Sequence, residues 1–239
     1  MMVEREAVDE YVERIADEIE LVFVDRVGGV WLLGSLAYGG FGPSSDVDIQ
    51  AAVCHPTAGD IETLAERINH RVLPCPAQGL EFVLYDIEAL ATPKPPLQWS
   101  LNLNGGPGRQ EKVSTDPTSE PWHWFLLDLA IGRQTAKTLS GRDLSDIVGP
   151  ISRDDQRAAI AESVRWHDRY DHGSPNQTAN AARGLRFLRT GQWGSKPEAL
   201  QWVASRGYAE ADIVTALTKE LEGSPDPTRR PSASDITTS

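Results

Sequence analysis

The chain predicts an α+β protein: a small mixed sheet with helices over residues 1–145, followed by a helical bundle over 150–222. Three observations carry this. The runs Val30-Trp31-Leu32-Leu33, Asp46 to Val53, Leu80-Glu81-Phe82-Val83-Leu84-Tyr85 and Leu97 to Asn104 have the length and apolar or alternating pattern of strands. From Trp122 onward apolar residues recur at helical spacing, and beyond Pro150 no strand pattern interrupts them. Hydrophobic residues make up 40% of the 239, enough to pack one large domain or two small ones.

Taken in order, Val8, Tyr11, Val12, Ile15 and Ile19 recur at spacings of three and four and mark the buried face of an opening helix. The strand at 30–33 stops at Gly34, and a loop with Gly39, Gly40, Gly42 and Pro43 precedes a second strand that begins near Asp46. Thr57 to Arg71 reads as helix and 80–85 as a third strand. The alternation over 97–104, ending at Gly105-Gly106-Pro107-Gly108, reads as a half-exposed fourth strand. The helix opening at Trp122 is expected to run to near Gly141, with a boundary between Ser140 and Pro150. Four further helices are expected at 155–170, 176–190, 196–206 and 209–221. Over 223–239, three prolines and very few apolar residues predict a disordered tail.

Lys and Arg number 23 against 35 Asp and Glu, a net charge of -12. Nucleic-acid binding draws on phosphate neutralisation by basic residues, so this balance disfavours such a partner. It suits a polycationic small substrate, and is equally what a highly soluble surface carries. The acidic start, Glu4 to Glu10, lacks the basic and apolar segments of a secretory signal, and no apolar run has the length of a membrane span. The two cysteines, Cys54 and Cys75, form neither a disulfide framework nor a zinc-type spacing. A cytoplasmic location is expected.

The segment from Gly34-Ser35 through Gly42-Pro43-Ser44-Ser45 to Asp46-Val47-Asp48-Ile49 holds the most chemistry. Alternation along a strand points Asp46 and Asp48 to one face. Two carboxylates so placed raise each other's pKa unless a hard divalent cation lies between them. Magnesium suits such a pair, because it favours a few carboxylates completed by substrate phosphates. Taken alone, Asp-x-Asp is also a common surface turn; the flanking strands and the Gly-Ser turn favour the metal site.

Those residues resemble the nucleotidyltransferases of the polymerase-beta-like superfamily, whose signature is Gly-Ser, a variable loop and Asp-x-Asp. The closer likeness is to the aminoglycoside adenylyltransferases that act on streptomycin and spectinomycin, and it spans most of residues 20 to 210. The resemblance implies a cytoplasmic enzyme that uses Mg2+ and ATP to adenylylate a hydroxyl of a small molecule, with antibiotic resistance as the family's role. Asp46, Asp48 and Glu81 become the catalytic and metal-binding acids, and Gly34, Ser35 and Ser45 fall on the nucleotide side.

Glu81 stands between apolar neighbours, where a carboxylate is costly to bury unless paired. The pattern allows an exposed residue of an edge strand equally well; the resemblance makes Glu81 the proton acceptor for the substrate hydroxyl. Ser195-Lys196-Pro197-Glu198 has capping-box spacing, which predicts a helix N-terminus with a cation beside it: a phosphate site on physical grounds, or a well-capped surface helix. The resemblance, which includes Thr190-Gly191, Glu198-Ala199 and Trp202, places Lys196 on the triphosphate. It also gives Arg183 to the phosphates, with Arg186 and Arg189 as rivals in register. Asp128 is a charge in an apolar helix that needs a partner, by resemblance the nucleotide and otherwise an internal salt bridge.

The acceptor half departs from the family. Leu101 to Arg109 is a different segment, and no acid occupies the place the family pattern demands. Trp166-His167-Asp168-Arg169-Tyr170-Asp171-His172 offers acids and aromatics for a cation, with His167 and His172 read as surface or packing residues. Adenylylation of a protein or other acceptor, and a non-catalytic nucleotide-binding module, are the competing readings.

Overall fold

The computed structural model describes residues 5–223; all but the first residue of the expected tail lies outside the described residues. Its single mixed sheet has six strands: β1 (Val27–Leu32), β2 (Val47–Val53), β3 (Leu80–Asp86), β4 (Leu101–Gly105), β5 (Lys112–Ser114) and β6 (Lys137–Gly141). Their spatial order is β5-β4-β3-β2-β1-β6. Only β2 and β3 run parallel, and the helix α3 (Ala58–Ile68) makes the crossover that a parallel pair requires.

Alternation along the strands divides the core in two. Val30, Leu32, Val47, Ile49, Ala51, Leu80, Phe82, Leu84, Leu101 and Leu103 face α3 and the opening helix α1 (Arg5–Phe23), which buries the five residues predicted and adds Phe23. Each such side chain, fully buried, contributes about 1.5–3 kcal/mol. On the other face Trp31, Ala52, Val83 and Tyr85 meet α5 (Trp122–Thr135), and that cluster runs on without a break into α7 (Arg153–Tyr170), α8 (Pro175–Thr190), α9 (Lys196–Ala204) and α10 (Ile213–Glu222). Three short helices, α2 (Gly34–Tyr38), α4 (Ile87–Leu90) and α6 (Leu144–Ile147), fill corners of the fold. No helix among the described residues is long and apolar enough to cross a membrane.

Three expectations are corrected. The helix from Trp122 ends at Thr135, and 137–141 is not its last turn but strand β6, which pairs antiparallel with β1 and covers that edge of the sheet. Gly141, at φ +75, allows the close crossing: a Cβ there would lie 2.6 Å from the Gly28 carbonyl oxygen. The fourth strand starts at Leu101 rather than Leu97, because Leu97 and Trp99 turn into the second cluster, where Trp99 meets Phe125 at 5.4 Å. The Gly-Ser turn after β1 is the start of α2.

Candidate active site

The site starts from strand register. Asp48 of β2 and Glu81 of β3 are direct partners in the parallel pair, so their side chains leave the same face next to each other. The pKa of Asp48 is raised by burial first and then by the charge of Glu81, so the two carboxyls compete for ionisation. Burial also raises Glu81. Asp46 precedes β2, and burial raises it while the Arg109 guanidinium, Nη1 3.1 Å from Oδ1, opposes the rise. That oxygen is buried and lacks a hydrogen bond of good geometry despite the ion pair. Gly34, at φ +61, is required here, because a Cβ would fall 1.8 Å from Asp48 Oδ2. Its role is thus to make room for the acid. Ser35 is half-buried next to it. Ser45 folds the loop, its Oγ accepting from the Gly42 N–H at 3.0 Å.

The opposite wall comes from the helices. Asp128 on α5 has a pKa pushed up to about 7, by burial first and then by the charge of Glu81, against the pull of Arg183 and Lys196. Lys196 opens α9 behind the predicted capping box, in which Ser195 and Glu198 satisfy each other's backbone N–H. Its pKa is lowered by burial and by Arg183, and sustained by Asp48, Glu81 and Asp128. Arg183 Nε donates to the Gly194 carbonyl at 2.9 Å. Its two rivals are engaged elsewhere: Arg186 faces Glu198 at 3.8 Å, and Arg189 is tied to Glu220 and Tyr208. Glu81, Asp128 and Lys196 are solvent-accessible although protein surrounds their charged ends, the situation of groups lining a cleft.

The structure therefore brings Asp46, Asp48, Glu81, Asp128, Arg183 and Lys196 into one electrostatic neighbourhood from five separate segments. Sequence reasoning missed Arg109, Tyr38, which feels Arg183, Asp48 and Asp128, and Asn176, whose Oδ1 accepts from Lys196 Nζ at 2.6 Å. Only Arg109, following a glycine-rich turn in a segment otherwise unlike the family, carried any signal.

A divalent cation fits the chemistry of the three acids: hard oxygen donors, all with raised pKa values, and an under-satisfied oxygen on Asp46. No group of three His, Cys, Asp or Glu among the described residues is arranged to hold a metal ion as it stands.

No protein-family model and no curated protein matches the sequence. The fold is a nucleotidyltransferase-like one, and seven chains of solved structures match it. Among them is spectinomycin adenyltransferase AAD(9) from Enterococcus faecialis, whose crystal structure was determined with ATP and spectinomycin. It superposes with a TM-score of 0.66 over 92% of this chain and 93% of that one, at 19% sequence identity, so the likeness is one of fold.

Proposed function

We propose that this protein transfers AMP from Mg-ATP to a hydroxyl of a small molecule, with pyrophosphate leaving. The observation that carries the reading is the meeting of the Asp48–Glu81 pair with Asp128, Arg183 and Lys196 in one electrostatic neighbourhood. In the proposed step the acceptor oxygen attacks the α-phosphorus, the bond from that phosphorus to the bridging oxygen breaks, and the hydroxyl proton passes to Glu81. Magnesium, held by Asp46, Asp48 and Glu81, would supply charge neutralisation at the phosphates. Lys196 and Arg183 bind the triphosphate and stabilise the departing pyrophosphate. Gly34, Ser35 and Ser45 shape the nucleotide side, and Asp128 meets the nucleotide.

The division at 145–150 then has a functional meaning: the sheet half supplies the acids and the helical half the phosphate cations. The acceptor enters beside Trp124, one turn before Asp128 on α5 and 5.2 Å from Trp166, with Tyr170 next along α7. Aromatic faces, with Asp168 and Asp171 close in sequence, suit a cationic polyol such as an aminoglycoside. An AAD(9)-like acceptor is consistent with the shared fold. The intact set of acids and cations disfavours a non-catalytic module.

The test is pyrophosphate release from Mg-ATP across aminoglycosides, other polyols and protein acceptors, with mass spectrometry of each acceptor. A gain of one AMP on an aminoglycoside is the expected result; labelling of a protein alone would move the acceptor class, and release with no acceptor would refute it. Glu81→Gln should retain nucleotide binding and lose about 10²–10⁴ in turnover.

A further inference from the structure

We propose that Asn176 is a positioning residue that keeps Lys196 available to the triphosphate, and that a hydrogen-bond chain through Asn180, His167 and Asp171 holds Asn176 in turn. The proposal rests on the reading of Lys196 given above.

The capping box fixes the Lys196 backbone, but its side chain has four rotatable bonds and faces three carboxylates, Asp48, Glu81 and Asp128, whose charges act on it. Left to itself, the ammonium group is drawn onto those acids, where it neutralises the proton acceptor instead of waiting for phosphate. The Asn176 carbonyl counters this: Nζ donates to Oδ1 at 2.6 Å. An uncharged acceptor holds the lysine without cancelling its charge.

Proton accounting fixes the orientation of the chain behind it. Asn180 Nδ2 lies 3.3 Å from Asn176 Oδ1, one turn away on α8, and 3.1 Å from His167 Nε2. An amide nitrogen only donates, so it gives one hydrogen to each, and His167 Nε2 is an acceptor. The ring proton is then on Nδ1 and donates to Asp171 Oδ2 at 3.1 Å. That oxygen also accepts from Ser174 Oγ at 2.7 Å. A flipped Asn180 would set two carbonyl oxygens against each other, so the network has one arrangement. His167 is buried, at 6% exposure, which anchors the far end in the helical core.

The experiment is a double-mutant cycle on the full chain, read by calorimetric affinity for Mg-α,β-methylene-ATP and by steady-state kinetics. Asn176→Ala should weaken the analogue about tenfold and raise KM for ATP, with KM for the acceptor unchanged and thermal stability close to the parent. Asn176→Asp keeps an acceptor oxygen for Nζ but adds a charge that cancels the lysine's, and should leave the affinity as low as Asn176→Ala does. In a Lys196→Ala background, Asn176→Ala should have no further effect. An equal loss in that background, or a change confined to acceptor KM, would mean that Asn176 acts on a substrate directly and would overturn the proposal. If Lys196→Ala alone leaves affinity unchanged, it is the reading of the phosphate site that fails, and this proposal goes with it.

Discussion

Adjacent carboxylates on neighbouring strands resist ionising together, and Asp48 with Glu81 is such a pair, each raised above its ordinary pKa. Asp128 extends the effect across the cleft. Its pKa near 7 lies above the ordinary 3.8, so between these values the folded chain holds a proton that the unfolded chain has lost. The stability this gives is fully present below pH 3.8, falls as pH rises, and is gone above about 7. Asp128→Asn cannot ionise. The ligand-free variant is therefore expected to be more stable than the parent at pH 8, with the difference shrinking towards pH 4, as read by urea denaturation across that range. The same substitution should weaken nucleotide binding, a trade of function for stability. At this scale the paired acids and Lys196 were legible because their local patterns, Asp-x-Asp on a strand and a capping box, state a chemical need. Arg109 and Asn176 were not, since each acquires its role only through a side chain far away in sequence: Asp46 in one case, Lys196 in the other.

Among the elements, the turn after β1 does the most with the fewest atoms. Gly34 lets the chain reverse into α2 while Asp48 occupies the space a side chain would need. Gly34→Ala imposes both a left-handed backbone on alanine and a collision with the carboxylate. It is expected to cost about 1–3 kcal/mol of stability by denaturant titration and to abolish turnover, with little effect on the aromatic signals of the helical half. The long helices of the second half were read to within a few residues from their apolar spacing, α9 also from its cap Ser195. Ser152 and Ser174, which cap α7 and α8, went unread, as did the short helices. Strands β5 and β6 were not read either. Three and five residues long and half-exposed, they have too few buried positions to show a period, and β6 is a strand because β1 offers an open edge beside it. Tertiary pairing, not local preference, decides such segments.

For the molecule as a whole, the question is how independent the two halves are. The apolar cluster that begins at Trp31, Val83 and Tyr85 on the sheet ends at Ile213 and Leu217 on α10. A core continuous across the division predicts one cooperative unfolding transition. Calorimetric and van't Hoff enthalpies should agree, and tryptophan fluorescence should track far-UV circular dichroism; two resolved transitions would show that the halves are separable. The general α+β plan was readable from the order of strand and helix patterns. The shared core was not, because apolar spacing marks a face for burial without naming what covers it.

The distribution of sign across the cleft has a consequence for the chain as it is made. Asp46, Asp48, Glu81 and Asp128 all precede residue 130, while Arg183 and Lys196 come some fifty residues or more after the last of them. During synthesis the acidic floor emerges first. Until α8 and α9 have packed, that floor presents carboxylates and Arg109 but no lysine or arginine from the far wall, and a triphosphate is repelled more than it is held. On the proposed reading, an unfinished or partly opened molecule lacks the cations that hold the triphosphate and does not consume nucleotide.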